Sequence, residues 1–295
     1  MTTKDSAALV LLSSLWGGSF IFMRIAAPAF GPVVLIELRV AIAALFLLGY
    51  TALIRKLPDF RANWRHYLVI GAANGALPFT LIATAELLLP ASLASILNAT
   101  TPLFTALFAA LWMGEVFTAR KVGGLALGFV GVVALIGLGP VPVTPAVIGS
   151  VGLSLAATVS YGVAAVYTKM KVPAGQSQAL AAGTQLFAAL ILLPLVPFTL
   201  PHQTPPALAA WCALGLALLS TALAFLLFFY LLEQVGPVRA TMVAYLVPAF
   251  GALWGFLFLR ESLGVGSLLG FGLILASVAM VTAAPAGRVQ ERPAH

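Results

Sequence analysis

The chain is poor in charge and in the side chains that do chemistry. Of its 295 residues, 8% are charged, eight are acids, three are histidines and one is a cysteine. A water-facing globule of this length carries about 25% charged residues to cover its surface, so a soluble fold is excluded. The lone Cys212 excludes an internal disulfide framework. His66, His202 and His295 are read as lying in loops or the tail, and no apolar block carries paired acids or a His–Glu spacing. No metal site and no cofactor is therefore expected. There is no Walker loop, so ATP is not expected to drive the protein. No small-residue cleavage site follows the first apolar block, which is read as a span and not as a cleavable leader.

What the chain does have is apolar length. Residues of the hydrophobic types make up 62%, and they fall into ten blocks at 7–27, 33–54, 66–87, 91–113, 119–138, 147–169, 177–198, 208–232, 237–259 and 264–284. Blocks of about 20 residues match the hydrocarbon thickness of a bilayer. In lipid the backbone must satisfy itself, and a barrel would show short alternating strands, so the spans are helices. Pro28, Pro32, Pro58, Pro90, Gly139–Pro145, the run from Pro173, the run from Leu200 and Gly236-Pro237 mark the joints. The net charge of +7 is read as topology and not as nucleic-acid binding. Lys4, the loops after blocks 2, 4, 6 and 8, and the tail carry the cations, whereas the loops after blocks 3, 5 and 7 carry none. The positive-inside rule places both termini in the cytoplasm of a multi-pass protein, with Arg24, Arg39 and Arg260 as exceptions on the outer side.

One word is written twice. Asn98–Glu115 reads NATTPLFTALFAALWMGE, and Ala244–Glu261 reads AYLVPAFGALWGFLFLRE. At a shift of 146 residues Pro102 meets Pro248, Phe104 meets Phe250, Ala106-Leu107 meets Ala252-Leu253, and Glu115 meets Glu261. Upstream, ALPFTL from Ala76 meets ALAFLL from Ala222, and with one residue of slip Trp16-Gly17 meets Tyr161-Gly162 and Arg24 meets Lys169. Each repeat holds five blocks. Five is odd, so the second copy enters the membrane upside down. The expected fold is an all-α polytopic membrane protein of ten transmembrane helices in two inverted five-helix repeats, residues 1–140 and 141–295, the second with a short cytoplasmic tail. Inverted repeats provide two near-equivalent packings, each open to one side, with substrate held between them.

Ten spans in two repeats, Trp16-Gly17-Gly18-Ser19-Phe20 in the first span, Arg39 in the second and the paired Pro…Glu words together resemble the drug/metabolite transporter superfamily, EamA type. The resemblance covers nearly the whole chain. It implies a metabolite or amino-acid exporter of the bacterial inner membrane, a cavity lined by spans 1–4 and 6–9, and a scaffold role for spans 5 and 10.

Within that frame, mid-span polarity nominates the contacts. Trp16, Arg39, Asn74, Asn98, Thr101, Tyr161, Gln185 and Tyr245 are the cavity candidates. Each has an ordinary alternative as a helix-packing group; Arg39 either snorkels outward or meets a substrate carboxylate. Gln185 stands where Arg39 does in the other repeat. Pro102 and Pro248 each remove a backbone donor near mid-span and are candidate hinges, or packing kinks. Glu115 and Glu261 are expected to cap the N-termini of the spans that follow them. Arg24, Glu37, Arg39 and Glu86 are expected as an outer ion-pair network, and Lys169 with Glu233 as its inner counterpart, or all as headgroup anchors. The Gly-x-x-x-Gly pairs at Gly71, Gly124 and Gly266 suit packing within a monomer, with a dimer as the alternative. The expected partners are a small-molecule substrate and the lipid bilayer, with no nucleic acid. The leading function is a secondary transporter of a small polar metabolite working by alternating access. An intramembrane enzyme would need a nucleophile with its base among the spans, and a channel a more continuous polar lining.

Overall fold

The structure, a computed structural model, describes residues 1–139, 141–173, 177–240 and 242–282. These residues form helices and no strand. In chain order the helices are α1 Thr3–Phe30, α2 Pro32–Leu53, α3 Phe60–Ala85, α4 Ala91–Met113, α5 Ala119–Gly137, α6 Pro145–Lys171, α7 Ser177–Phe198, α8 Ala207–Gly236, α9 Val243–Leu259 and α10 Val265–Thr282. Nine are long and apolar enough to cross a bilayer; α9, with 17 residues, is the shorter exception. The protein is an all-α polytopic membrane protein. Large apolar side chains such as Leu45, Phe129, Trp211 and Phe258 stand exposed on its outside, where lipid tails would meet them.

Local chemistry explains the ends. Thr2 and Asp5 form a capping box at the start of α1, and Asp59, Thr118 and Thr144 accept from first-turn amides of α3, α5 and α6. Gly31, at φ 75°, joins α1 to α2 in a single residue, and Pro32 opens α2 at a position where its missing N–H costs nothing. The Thr118 cap displaces Glu115 from the capping role expected of it. His66, read as a loop residue, falls inside α3, with Nδ1 3.0 Å from the Tyr167 hydroxyl.

Two helices are broken differently from the sequence expectation. α4 is two segments, Ala91–Asn98 and Thr101–Met113, with Ala99 and Thr100 in a turn between them. Pro102 sits in the first turn of the second segment and does not kink a continuous helix. Pro248 lies inside the unbroken Val243–Leu259. The ninth apolar block, expected whole over 237–259, is divided: Gly236 at φ 78° kinks the chain, a single turn runs to Ala240, and α9 starts at Val243.

Several local features recur 145 or 146 residues apart. α3 carries a π turn at Ala72–Ala76 and α8 one at Leu218–Leu223. Gly114 and Arg260 both close their helices in the left-handed region, and the Glu115 and Glu261 amides reach back to the Ala109 and Gly255 carbonyls. A Cβ on Gly17 would fall 2.7 Å from the Phe250 Cβ; one on Gly162 would fall 3.1 Å from the Phe104 Cβ. So α1 lies against α9 and α6 against α4 at the same kind of close approach, which small residues allow in lipid where packing, not water exclusion, drives association. α5 and α10 pack on each other through Gly124, Gly128, Gly131 and Gly270, so two of the Gly-x-x-x-Gly pairs serve contacts inside the chain. Gly71 likewise abuts α7, at the Thr184 carbonyl.

Candidate functional site

The breaks in the helices surround a cavity. A space of about 300 Å³ lies at mid-depth between α1, α2, α3, α4, α6 and α9. Trp16, Arg39, Asn74, Asn98, Thr101 and Tyr161 all line it, as do Pro102 and Pro248. Gln185 and Tyr245 do not. Gln185 is buried among helices with its Oε1 unpartnered among the described residues. The Tyr245 hydroxyl instead meets Thr282 Oγ1 at 2.5 Å.

Among the described residues Arg39 is the one charged group in the lining, and it is 4% exposed. Its Nε donates to Thr221 Oγ1 at 2.9 Å, and Thr221 in turn donates to the Leu216 carbonyl at the π turn of α8. The guanidinium lies over the Phe79 ring at 3.6 Å, a cation–π contact that holds the group flat. Nε and one ring face are thus committed, while Nη1 has only the weak acceptor Met23 Sδ at 3.7 Å. A planar cation held this way suits a carboxylate better than a flexible ammonium would. Among the described residues no acidic side chain lines the cavity to compete for it.

Asn98 and Thr101 flank the break in α4. Thr101 Oγ1 donates to the Asn98 carbonyl at 2.8 Å, and Asn98 Oδ1 is buried without a donor among the described residues. The break thus carries one polar atom that nothing in the protein fills among the described residues. Aromatic walls complete it. Phe79 meets Tyr161 edge-on at 6.2 Å, and its counterpart Phe225 meets Trp16 edge-on at 6.5 Å. Sequence reasoning missed Phe79, Met23, Ser19 and Val247 in the lining. The signal for Phe79 was present, because the matching ALPFTL and ALAFLL segments align it with Phe225.

The two ends of the cavity differ. Towards Glu115 it opens into a mouth of about 960 Å³, lined by Thr105, Glu115, Lys121, Lys169, Tyr245 and others. Lys121 and Lys169 each lie 3.3 Å from Glu115. Partial burial acts to raise the Glu115 carboxyl, but the hydrogen bonds and charges of the two lysines outweigh it and hold the group below its ordinary value. Lys169 therefore reaches Glu115, not Glu233, whose carboxylate accepts from Gln178 at 2.9 Å. Both ion pairs are solvent-exposed and worth about 0–1 kcal/mol.

The other end is closed. Glu261 follows α9, yet its carboxylate caps α4: Oε1 accepts from Ala91 N–H at 2.8 Å and Oε2 from Ser92 N–H at 2.9 Å. A carboxylate on two free first-turn amides meets both the hydrogen-bonding need and the dipole of that helix end. The expectation that Glu261 would cap α10 is corrected by this contact. Arg24 and Glu86 meet here too, but not as an ion pair. Arg24 donates to the main-chain carbonyl of Glu86, whose carboxylate oxygens are buried and unpartnered among the described residues. Glu37 is buried apart, and Arg39 is taken by Thr221 and Phe79. Among the described residues no salt bridge joins these four charges.

The EamA-like transporter family matches the chain twice, over residues 6–137 and 149–283. "Protein PecM" of Dickeya dadantii is 30% identical over 272 residues, 90% of this chain and 88% of that protein. The "Uncharacterized inner membrane transporter YedA" of Escherichia coli is 28% identical over 285 residues, 93% of this chain and 89% of that one. The "Probable terminal-alkyne amino-acid exporter" of Streptantibioticus cattleyicolor is 29% identical over 296 residues, 98% of this chain and 97% of that one. A crystal structure at 18% identity superposes with a TM-score of 0.66 over 96% of this chain and 97% of its own, a likeness of fold.

Proposed function

We propose that this chain, which belongs to the EamA-like transporter family, exports a small polar metabolite bearing a carboxylate, an amino acid or a related compound, by alternating access. The family and the named relatives make it a multi-pass membrane transporter. The finer reading rests above all on one observation: a mid-depth cavity with a fixed guanidinium, open at one end and closed at the other. Arg39 takes the carboxylate. Asn98 Oδ1 and the broken backbone of α4 take an amino group. Trp16, Phe79 and Tyr161 enclose the rest of the molecule. One relative bears the name of an amino-acid exporter, which agrees with this choice.

The two states follow from duplication, for which the double family match and the features recurring at 146 residues are the support. Lys and Arg asymmetry assigns the Glu115 mouth to the cytoplasm and the Glu261 end to the outside, in a bacterial inner membrane. In this orientation the structure is inward-open. A cysteine introduced at Pro142 in a Cys212→Ala background is expected to react with a membrane-impermeant reagent from outside; reaction from the cytoplasmic face alone would reverse the orientation.

Purified protein in proteoliposomes is expected to show saturable counterflow of a labelled neutral amino acid. Saturable counterflow demands a site that faces each side in turn. Flux that rises linearly with concentration, with no counterflow, would instead identify a channel-like facilitator.

A further inference from the structure

We propose that Glu261 and Glu115 are alternating latches: each, in one state of the cycle, caps the broken helix of the other repeat and so closes one mouth. The inference rests on the two-state reading above.

The observed latch is Glu261. It leaves α9 through a left-handed residue, Arg260, and its carboxylate crosses to the first turn of α4 at Ala91 and Ser92. Gly255 gives it room, since a Cβ there would lie 2.5 Å from Oε2. The contact joins the end of α9 in one repeat to the start of α4 in the other, on the closed side. Glu115 leaves α4 through the same left-handed geometry, at Gly114, and its amide bonds back to Ala109 as that of Glu261 does to Gly255. Its carboxylate caps no helix here. It faces the open mouth, whose lining also includes Ala244 and Tyr245 at the beginning of α9. Just before these lies a fresh helical start, where Gly236 at φ 78° turns the chain into Pro237–Ala240. A first helical turn presents amides without intrahelical acceptors. When the mouth closes, Glu115 exchanges Lys121 and Lys169 for those amides, and Glu261 gives up Ala91 and Ser92.

The two latches are unequal. Pro237 holds the place of Ala91 and has no N–H, so the turn at Pro237–Ala240 lacks a donor that α4 has. Ala109 replaces Gly255, so Glu115 must swing wider. The Glu261 latch is the stronger, which agrees with the inward-open form being the one observed. Each hydrogen bond to a carboxylate that is lost with the charge changes a two-state ratio by roughly tenfold.

The test is spin-label distance measurement in the full-length Cys212→Ala protein in nanodiscs, with one pair across the Glu261 end at Leu88 and Val265 and another across the mouth at Val116 and Met242. Glu261→Gln is expected to raise the population open at the Glu261 end about tenfold. Glu261→Asp, one methylene shorter but still charged, should shift it in the same direction. Adding Glu115→Gln to Glu261→Gln should lower that population again, because the opposing latch is lost too. If the second substitution leaves it unchanged or raises it further, the latch pair is overturned while two-state transport stands. A single distance at each end in every variant, in protein that still performs counterflow, would overturn the latch pair and the two-state reading together.

Discussion

Replacing Arg39 by alanine is expected to cut counterflow about a hundredfold while leaving folded, monodisperse protein. A buried cation in a span is costly to hold, and this one is held by one hydroxyl, a ring face and a thioether. Removing it strands little, because Thr221 keeps its bond to the Leu216 carbonyl. What disappears is the single positive group in the cavity lining, and with it the partner of the substrate carboxylate. Arg39→Lys should lie between the two, since an ammonium keeps the charge but not the flat fork. Normal counterflow by folded Arg39→Ala protein would refute the carboxylate contact.

Gly17→Val and Gly162→Val are expected to be strongly destabilising. A Cβ on Gly17 would approach the Gly251 amide nitrogen to 2.8 Å and the Val247 carbonyl to 2.9 Å; on Gly162 it would approach the Thr105 amide nitrogen to 2.9 Å. These obstacles are backbone, so neither a rotamer change nor a side-chain shift relieves them. Overpacking of this kind costs about 1–3 kcal/mol, more where a branched side chain must enter. Gly49→Val and Gly152→Val are the controls, with nothing within 4 Å of the added atom. Thermal unfolding in detergent should rank the first pair well below the second. Equal stabilities would mean that α1 and α6 do not seat on α9 and α4 as described.

Much of this was legible in the chain because polarity inside a span is rare. Trp16, Arg39, Asn74, Asn98, Thr101 and Tyr161 stood out against apolar surroundings, and the cavity brings those six together. Gln185 and Tyr245 stood out equally but turn elsewhere. Polarity marks a residue; it does not say which side of its helix meets the cavity, and that depends on rotation set by neighbours distant in sequence. Phe79 was hidden for the opposite reason, an apolar residue in an apolar run. The family was readable from the paired Pro…Glu words. The partner of Glu261 was not, since a carboxylate beside one helix start found its amides on another, 170 residues away. The break in α4 falls at Ala99–Thr100, ahead of its proline, because proline tolerates a first turn and forces the discontinuity upstream.

The glycine contact between α5 and α10 has a mechanical consequence. Where Gly131 and Gly270 meet, an added Cβ on either would lie within about 3 Å of the other helix's backbone. A seam that close can twist but cannot slide, because any translation drives one backbone into the ridges of the next. Were the two repeats to rock against each other as proposed, this seam would be the fulcrum where they move least, with travel growing with distance from it. A rotation of a few degrees that barely disturbs the seam is multiplied into ångströms at the far rim. A methyl group inserted at the seam, as in Gly131→Ala, would have to push the two helices apart.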